Sequence, residues 1–252
     1  MIWRTGALVG FESANTPPPE DVPVEFVDWP FSKLREEENP DLGEWFDRHL
    51  KIVRSCRPRL AVAPDVNQYT HFEDALAWAD ELSLYAETVI VVPKAVHPTD
   101  VPSYYRVGMP CQDRFGPPPW GWLEYRPCPE VHLLGGSPVK HREILKYSVP
   151  VESVDTSVPV KSACYGDYWN GKKWATIDRD EDFYYECLER SYRNMRYSIN
   201  PRRRVWSPYW RNRVKDWRDE FRQTQPDADC WGAGDDLPHP GHYRWTEVQN
   251  TY

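Results

Sequence analysis

Seven short apolar runs, mostly unbroken by polar residues, constrain this chain more than any other feature. They lie at 6–10 (GALVG), 24–28 (VEFVD), 59–63 (RLAVA), 88–93 (TVIVVP), 105–109 (YRVGM), 130–134 (EVHLL) and 150–154 (PVESV); KWATI at 173–177 offers an eighth. A strand with one wet face alternates apolar and polar residues, whereas a continuous run suits a parallel strand buried on both faces. Helical spacing fills several of the gaps. In 39–56, Leu42, Trp45, Phe46, Leu50 and Val53 share one face, behind Asn39 as expected cap and Pro40 at the first helical position. In 70–87, Thr70 and Glu73 have the spacing of a capping box, and Phe72, Leu76, Ala79 and 82–86 form the stripe. Ser137 and Pro138 open a third helix at 137–148, and 180–198 reads as a fourth.

Strand–helix–strand alternation implies βαβ units and a parallel sheet. With 252 residues, close to the size of a single α/β barrel of about 250, the expected fold is α/β: a TIM-like (β/α)8 barrel over 1–198, followed by a basic-aromatic extension and tail over 199–252 that packs on it. Some crossovers are irregular. TPPPEDVP within 11–23 and FGPPPWGWLEYRPCP within 111–129 cannot continue a helix. Only 40% of residues are hydrophobic, so the 13 Trp and 15 Tyr must supply much of the buried area.

No apolar run approaches the roughly 18–20 residues that span a bilayer, and the first residues lack a signal-peptide core. The expectation is a cytoplasmic protein with no membrane partner. Six cysteines, at 56, 111, 128, 164, 187 and 230, are scattered without a Cys-x-x-Cys pair, as expected of free thiols in a reducing compartment rather than of a metal site. No cofactor is expected.

Enzymes built on parallel α/β barrels place reacting groups at the C-terminal strand ends. Asp28, Asp65 and Asp155 stand there, and Gly108 and Gly135–Gly136 end two further strands, where a missing side chain leaves room for a flat ligand. Three carboxylates on one rim repel one another and lose solvation unless something uses them. The alternative is that each Asp caps a helix or fixes a turn.

RLAVAPDVNQY, TVIVVPKA, YRVGMP, VHLLGGSP and VESVD, in that order, resemble the barrel of the tRNA-guanine transglycosylases, and more closely their DNA-modifying DpdA-type relatives, found especially in phages. The resemblance covers roughly 20–175, and VHLLGGSP is its most specific piece. It implies exchange of guanine in DNA for a free 7-deazaguanine base of the preQ0 or preQ1 kind. Asp155 would be the nucleophile at C1′, Asp28 the general acid/base, and Asp65 the carboxylate reading the purine N1–H and amino group. Gly108 would lie near O6, with Leu134, Gly135 and Gly136 near the base plane. Asp28 is followed by Trp29-Pro30-Phe31 where the tRNA enzymes have Ser-Gly-Gly, Asp155 by Thr156-Ser157 where they have a cysteine motif, and their zinc-binding cysteine insertion is absent.

Formal net charge is −8, yet between Arg190 and Arg222 eleven basic residues face three acidic ones, a segment of +8 on a remainder of −16. Arg202, Arg203, Arg204, Arg211 and Arg213 interleave there with Trp206 and Trp210, a pairing of phosphate-neutralising and base-stacking side chains expected to hold DNA. The same segment also reads as a solvated helix packed on the barrel. His132 sits mid-strand and reads as buried and hydrogen-bonded rather than catalytic. Lys140 and His141 open a helix and face phosphate or water, Lys94 follows VIVVP within reach of a ligand but reads by default as solvated, and His239 and His242 have no expected role. Two further functions remain open: a non-catalytic nucleic-acid-binding protein, and a barrel N-glycoside hydrolase.

Overall fold

The computed structural model describes residues 10–15, 23–34, 36–37, 39–67, 70–111, 120–179 and 182–199. The chain divides into two compact units, Leu8–Ser157 and a second made of Met1–Ala7 with Val158–Tyr252.

The larger unit is built on seven strands: β1 (Gly10–Glu12), β2 (Phe26–Asp28), β3 (Leu60–Val62), β4 (Thr88–Val91), β5 (Arg106–Pro110), β6 (Val131–Leu134) and β7 (Val151–Val154). Each pairs in parallel with the next, in chain order. β2 to β7 match the apolar runs to within two residues at either end. Of the 6–10 run only Gly10 is described, and β1 continues to Glu12.

A ring contact reveals that the sheet curls. Phe26 on β2 stacks on His132 of β6, with centroids 5.5 Å apart and planes within 15°. Four strand spacings of about 4.8 Å would separate them by about 19 Å on a flat sheet. The sheet is therefore wrapped into a half-barrel with Phe26 and His132 on its inner face. Among the described residues no pairing joins β7 back to β1.

α1 (Phe31–Leu34), α2 (Leu42–Cys56), α3 (Phe72–Ser83) and α4 (Pro138–Leu145) lie in the crossovers. Phe46 of α2 stacks on Trp78 of α3 at 5.0 Å, and Val53, Ala75, Ala79, Leu82 and Ile144 are fully buried. Two caps differ from expectation. Asp41, not Asn39, caps α2, its side chain accepting from the Glu44 N–H at 3.0 Å; the carboxylate lies two residues closer to the apolar stripe. α3 is entered from His71 with no side-chain cap, and Thr70 instead donates its N–H to Asn67 Oδ1 at 3.3 Å. Ser137 caps α4 as expected, accepting from the Lys140 N–H at 3.3 Å.

Between Val131 and His132 the pairing of β6 with β7 shifts: Val131 is opposite Val151, but His132 is opposite Ser153. One extra residue of β7, Glu152, is taken up in this bulge.

In the second unit α5 (Val158–Ala163), β8 (Asp167–Trp169), β9 (Trp174–Thr176) and α6 (Phe183–Ile199) pack around Ala163, Cys187 and Leu188. Trp169, nearly wholly buried, donates its N–H to Ser191 Oγ at 2.8 Å. The run at 173–177 does form a strand, β9, but not an eighth barrel strand. It pairs antiparallel with β8 across a turn at Gly171, whose φ is +90°, because the four residues between Trp169 and Trp174 reverse the chain too quickly for a parallel crossover.

Candidate functional site at the strand ends

All seven strands of the half-barrel run the same way, so their C-terminal ends share one edge. Asp28 ends β2, Asp65 lies three residues after β3 and Asp155 follows β7 directly. Asp28 stands at the electrostatic centre. Its carboxyl is held well above the ordinary range, first by burial and then by the negative charges of Asp155, Glu12 and Asp65. The Trp29 backbone opposes this weakly. Such a carboxyl favours its protonated form. The three expected aspartates are thus brought within electrostatic reach, together with Glu12 at the end of β1, which the apolar run at 6–10 stopped short of.

Asp65 is buried, and burial raises its pKa against the pull of Lys94. Lys94 Nζ lies 2.5 Å from Asp65 Oδ2 and 3.7 Å from the centroid of the Phe31 ring. Lys94 is therefore not the solvated lysine expected: the 3.1 Å backbone bond from its N–H to the Val92 carbonyl turns the chain at the end of β4, and its side chain is four-fifths buried.

Asp155 accepts two bonds on the same oxygen. The Gly135 N–H donates to Oδ1 at 2.8 Å and His132 Nε2 lies 3.2 Å from it. Gly135 and Gly136 have φ of +64° and +84°, a left-handed pair that few other residues adopt. A Cβ on Gly136 would also meet Cys111 Cβ at 2.8 Å. The Thr156 hydroxyl donates to the Gly136 carbonyl at 2.6 Å, so the Gly-Gly turn grips both Asp155 and the residue after it.

His132 is buried and hydrogen-bonded, as expected, but its partner is Asp155, which sequence reasoning missed. Its Nδ1 lies 2.7 Å from Ser153 Oγ, which accepts from an Arg106 guanidinium N–H at 2.9 Å. Arg106 is itself paired with Glu130. The signal was present: Arg106, His132 and Ser153 are polar residues inside otherwise apolar strands, where an unpaired polar group is rare.

Two expectations change. The space beside Gly108 does not await a flat ligand, because a Cβ there would lie 2.8 Å from Val92 Cγ2, 3.0 Å from Ile90 Cγ2 and 3.1 Å from Leu134 Cδ1; those side chains fill it. His141 faces neither phosphate nor water: it is buried, donates from Nε2 to the Gly135 carbonyl at 2.7 Å, and burial pushes its pKa down. Lys140 lies over the Trp122 ring, 5.7 Å from its centroid. Arg202, Arg203, Arg204, Arg211, Arg213, Trp206 and Trp210, with His239 and His242, lie outside the described residues. Among those described, no helix is long and apolar enough to cross a membrane, and no cluster of His, Cys, Asp or Glu has the arrangement of a metal site.

A family model matches residues 2–200, across both units. The chain belongs to DUF6610, a family of unknown function. No curated protein matches it. The carboxylate edge, the Gly-Gly turn and the His132 network all lie within the matched stretch.

Proposed function

We propose that the strand-end edge performs guanine exchange on DNA, replacing the base with a 7-deazaguanine through a covalent ester of Asp155. The observation that carries the reading is the unequal treatment of two neighbouring carboxyls. Asp28 is driven toward its protonated form by burial and by Asp155, Glu12 and Asp65, while Asp155 meets two donors on Oδ1. A carboxyl driven toward its protonated form suits an acid, and one fixed by hydrogen bonds on a single oxygen suits a nucleophile.

In this reading Asp155 Oδ2 attacks C1′, the C1′–N9 bond breaks, and guanine leaves with the proton that Asp28 supplies. The incoming base then attacks C1′ through N9, the ester C1′–O bond breaks, and Asp28 recovers the proton. One substitution at a crowded carbon becomes two. Asp65 and Lys94 would read the base edge, one accepting and one donating. The target base must leave the duplex stack or come from a single strand, and the basic-aromatic stretch at 190–222 supplies the charge and rings such a strand needs. A barrel completed beyond the seven strands, and action in the cytoplasm, belong to the same proposal.

The test is incorporation of labelled guanine into DNA by the full chain. Wild-type protein should incorporate label and yield a trapped protein–DNA adduct but no adduct with RNA; Asp155→Ala should do neither while still retaining DNA. Incorporation that survives Asp155→Ala would sink the assignment. Release of free base without replacement would move the function to an N-glycoside hydrolase, and DNA retention without any exchange to a binding protein.

A further inference from the structure

The chain of hydrogen bonds behind Asp155 has a fixed polarity. Arg106 can only donate and an ionised Asp155 can only accept. Between them stand Ser153 and His132, each able to do both. Because the Arg106 N–H occupies a lone pair of Ser153 Oγ at 2.9 Å, the serine proton is available for His132 Nδ1 at 2.7 Å. A neutral imidazole that accepts at Nδ1 carries its proton on Nε2, which points at Asp155 Oδ1 from 3.2 Å. A single assignment therefore satisfies every neutral link: Arg106 to Ser153 to His132 to Asp155. The ring is locked against rotation by its stack on Phe26, 15° from parallel, and only 1% of the His132 surface is exposed. The relay exists because the bulge in β7 puts Ser153 opposite His132.

We infer that His132 is the positioning residue for Asp155, held by Ser153 and Arg106 in the Nε2–H tautomer so that Asp155 Oδ1 is occupied and Oδ2 is presented to the electrophile. This rests on reading Asp155 as the nucleophile. His132 donates one hydrogen bond to a carboxylate and touches no reacting atom. The Gly135 N–H fixes the same oxygen from the backbone side, so the carboxylate is held by two donors, one from β6 and one from the turn that follows it.

The tautomer can be read without any activity. The chain has seven histidines, so a long-range 15N–1H spectrum of protein labelled at histidine is sparse, and His132→Gln identifies the resonance by its loss. In its neutral form the His132 ring should show protonated Nε2 and bare Nδ1, and Ser153→Ala should convert it to a mixture. An Nδ1–H tautomer in the wild type, or no change in Ser153→Ala, overturns the inference. The kinetic arm uses single-turnover trapping of the adduct on guanine-containing DNA. His132→Phe keeps the stack but removes the donor and should slow adduct formation about 10- to 100-fold, as expected for a lost bond to a charged group, with half-saturating DNA unchanged. His132→Gln, which returns an N–H near the Nε2 position, should recover most of that rate. Equal rates in the two variants would overturn the positioning role. If wild-type protein forms no adduct yet shows the fixed tautomer, the transglycosylase reading fails and the relay stands.

Discussion

Replacing Lys94 with Met should destabilise the larger unit through Asp65 rather than through lost packing. Met keeps most of the aliphatic length over Phe31 but removes the charge 2.5 Å from Asp65 Oδ2. Breaking a buried pair from one side typically costs about 3–5 kcal/mol, because the surviving charge stays buried without compensation. Here the side chains are 20% and 8% exposed, so solvent screens part of the pair and about 2–3 kcal/mol is the expected loss near neutral pH. For a unit of about 150 residues that lowers Tm by about 5–10 °C. The sign with pH follows from Asp65. Burial already raises its pKa and Lys94 alone opposes this; without Lys94 the native carboxyl holds its proton more tightly still. Native protein then binds more protons than unfolded chain above the ordinary carboxylate range, so Lys94→Met should lose stability as pH rises and approach wild type in acid. Urea unfolding at about pH 4 and about pH 8 measures the difference. Asp65→Asn in the same background should restore most of the loss, since no charge remains to be stranded. A single variant within about 0.5 kcal/mol of wild type at both pH values, or a double variant no better than the single, would refute the reasoning.

Asp28→Asn should remove exchange activity yet stabilise the fold. The native pKa of Asp28 is raised, so wild-type stability falls as pH climbs from the ordinary carboxylate range through the native value, and the gain from Asn should grow over that window; a gain independent of pH would show that burial and the neighbouring carboxylates are not its source. Gly108→Ala should cost about 1–3 kcal/mol, the usual range for overpacking, because its Cβ would press on the β-branched side chains of Val92 and Ile90; denaturant unfolding no weaker than wild type would mean that the inner face has room after all.

Most strands were legible because a parallel strand buried on both faces leaves an unbroken apolar run. Their order was legible too, since chain-order pairing is the simplest solution for successive βαβ units. What failed depended on geometry that periodicity does not carry. KWATI has the composition of a strand, but the five-residue step back to Trp169 decides that it forms a hairpin in the second unit. Asn39 and Asp41 are equally good caps by type, and only the start of the apolar stripe separates them. The three aspartates were found by counting strand ends, but Lys94 was misjudged because its pairing with Asp65 spans 29 positions. Arg106, His132 and Ser153 come from three strands, and no local pattern joins them.

The bulge in β7 has a consequence for how this site can change. Side chains alternate along a strand, so the face on which Asp155 emerges is a matter of parity. Had the pairing of Val131 with Val151 continued regularly, Glu152 would stand opposite His132 and Val154 opposite Leu134, and Asp155 would turn away from Asp28. The observed shift sets Ser153 opposite His132 instead, and Asp155 follows on the inner side. Losing or gaining one residue between Val149 and Val154 would therefore dismantle the edge while leaving every one of its acidic and basic residues in place. In relatives of this chain, the spacing from the β6 histidine to its serine and aspartate partners is as informative as the residues themselves.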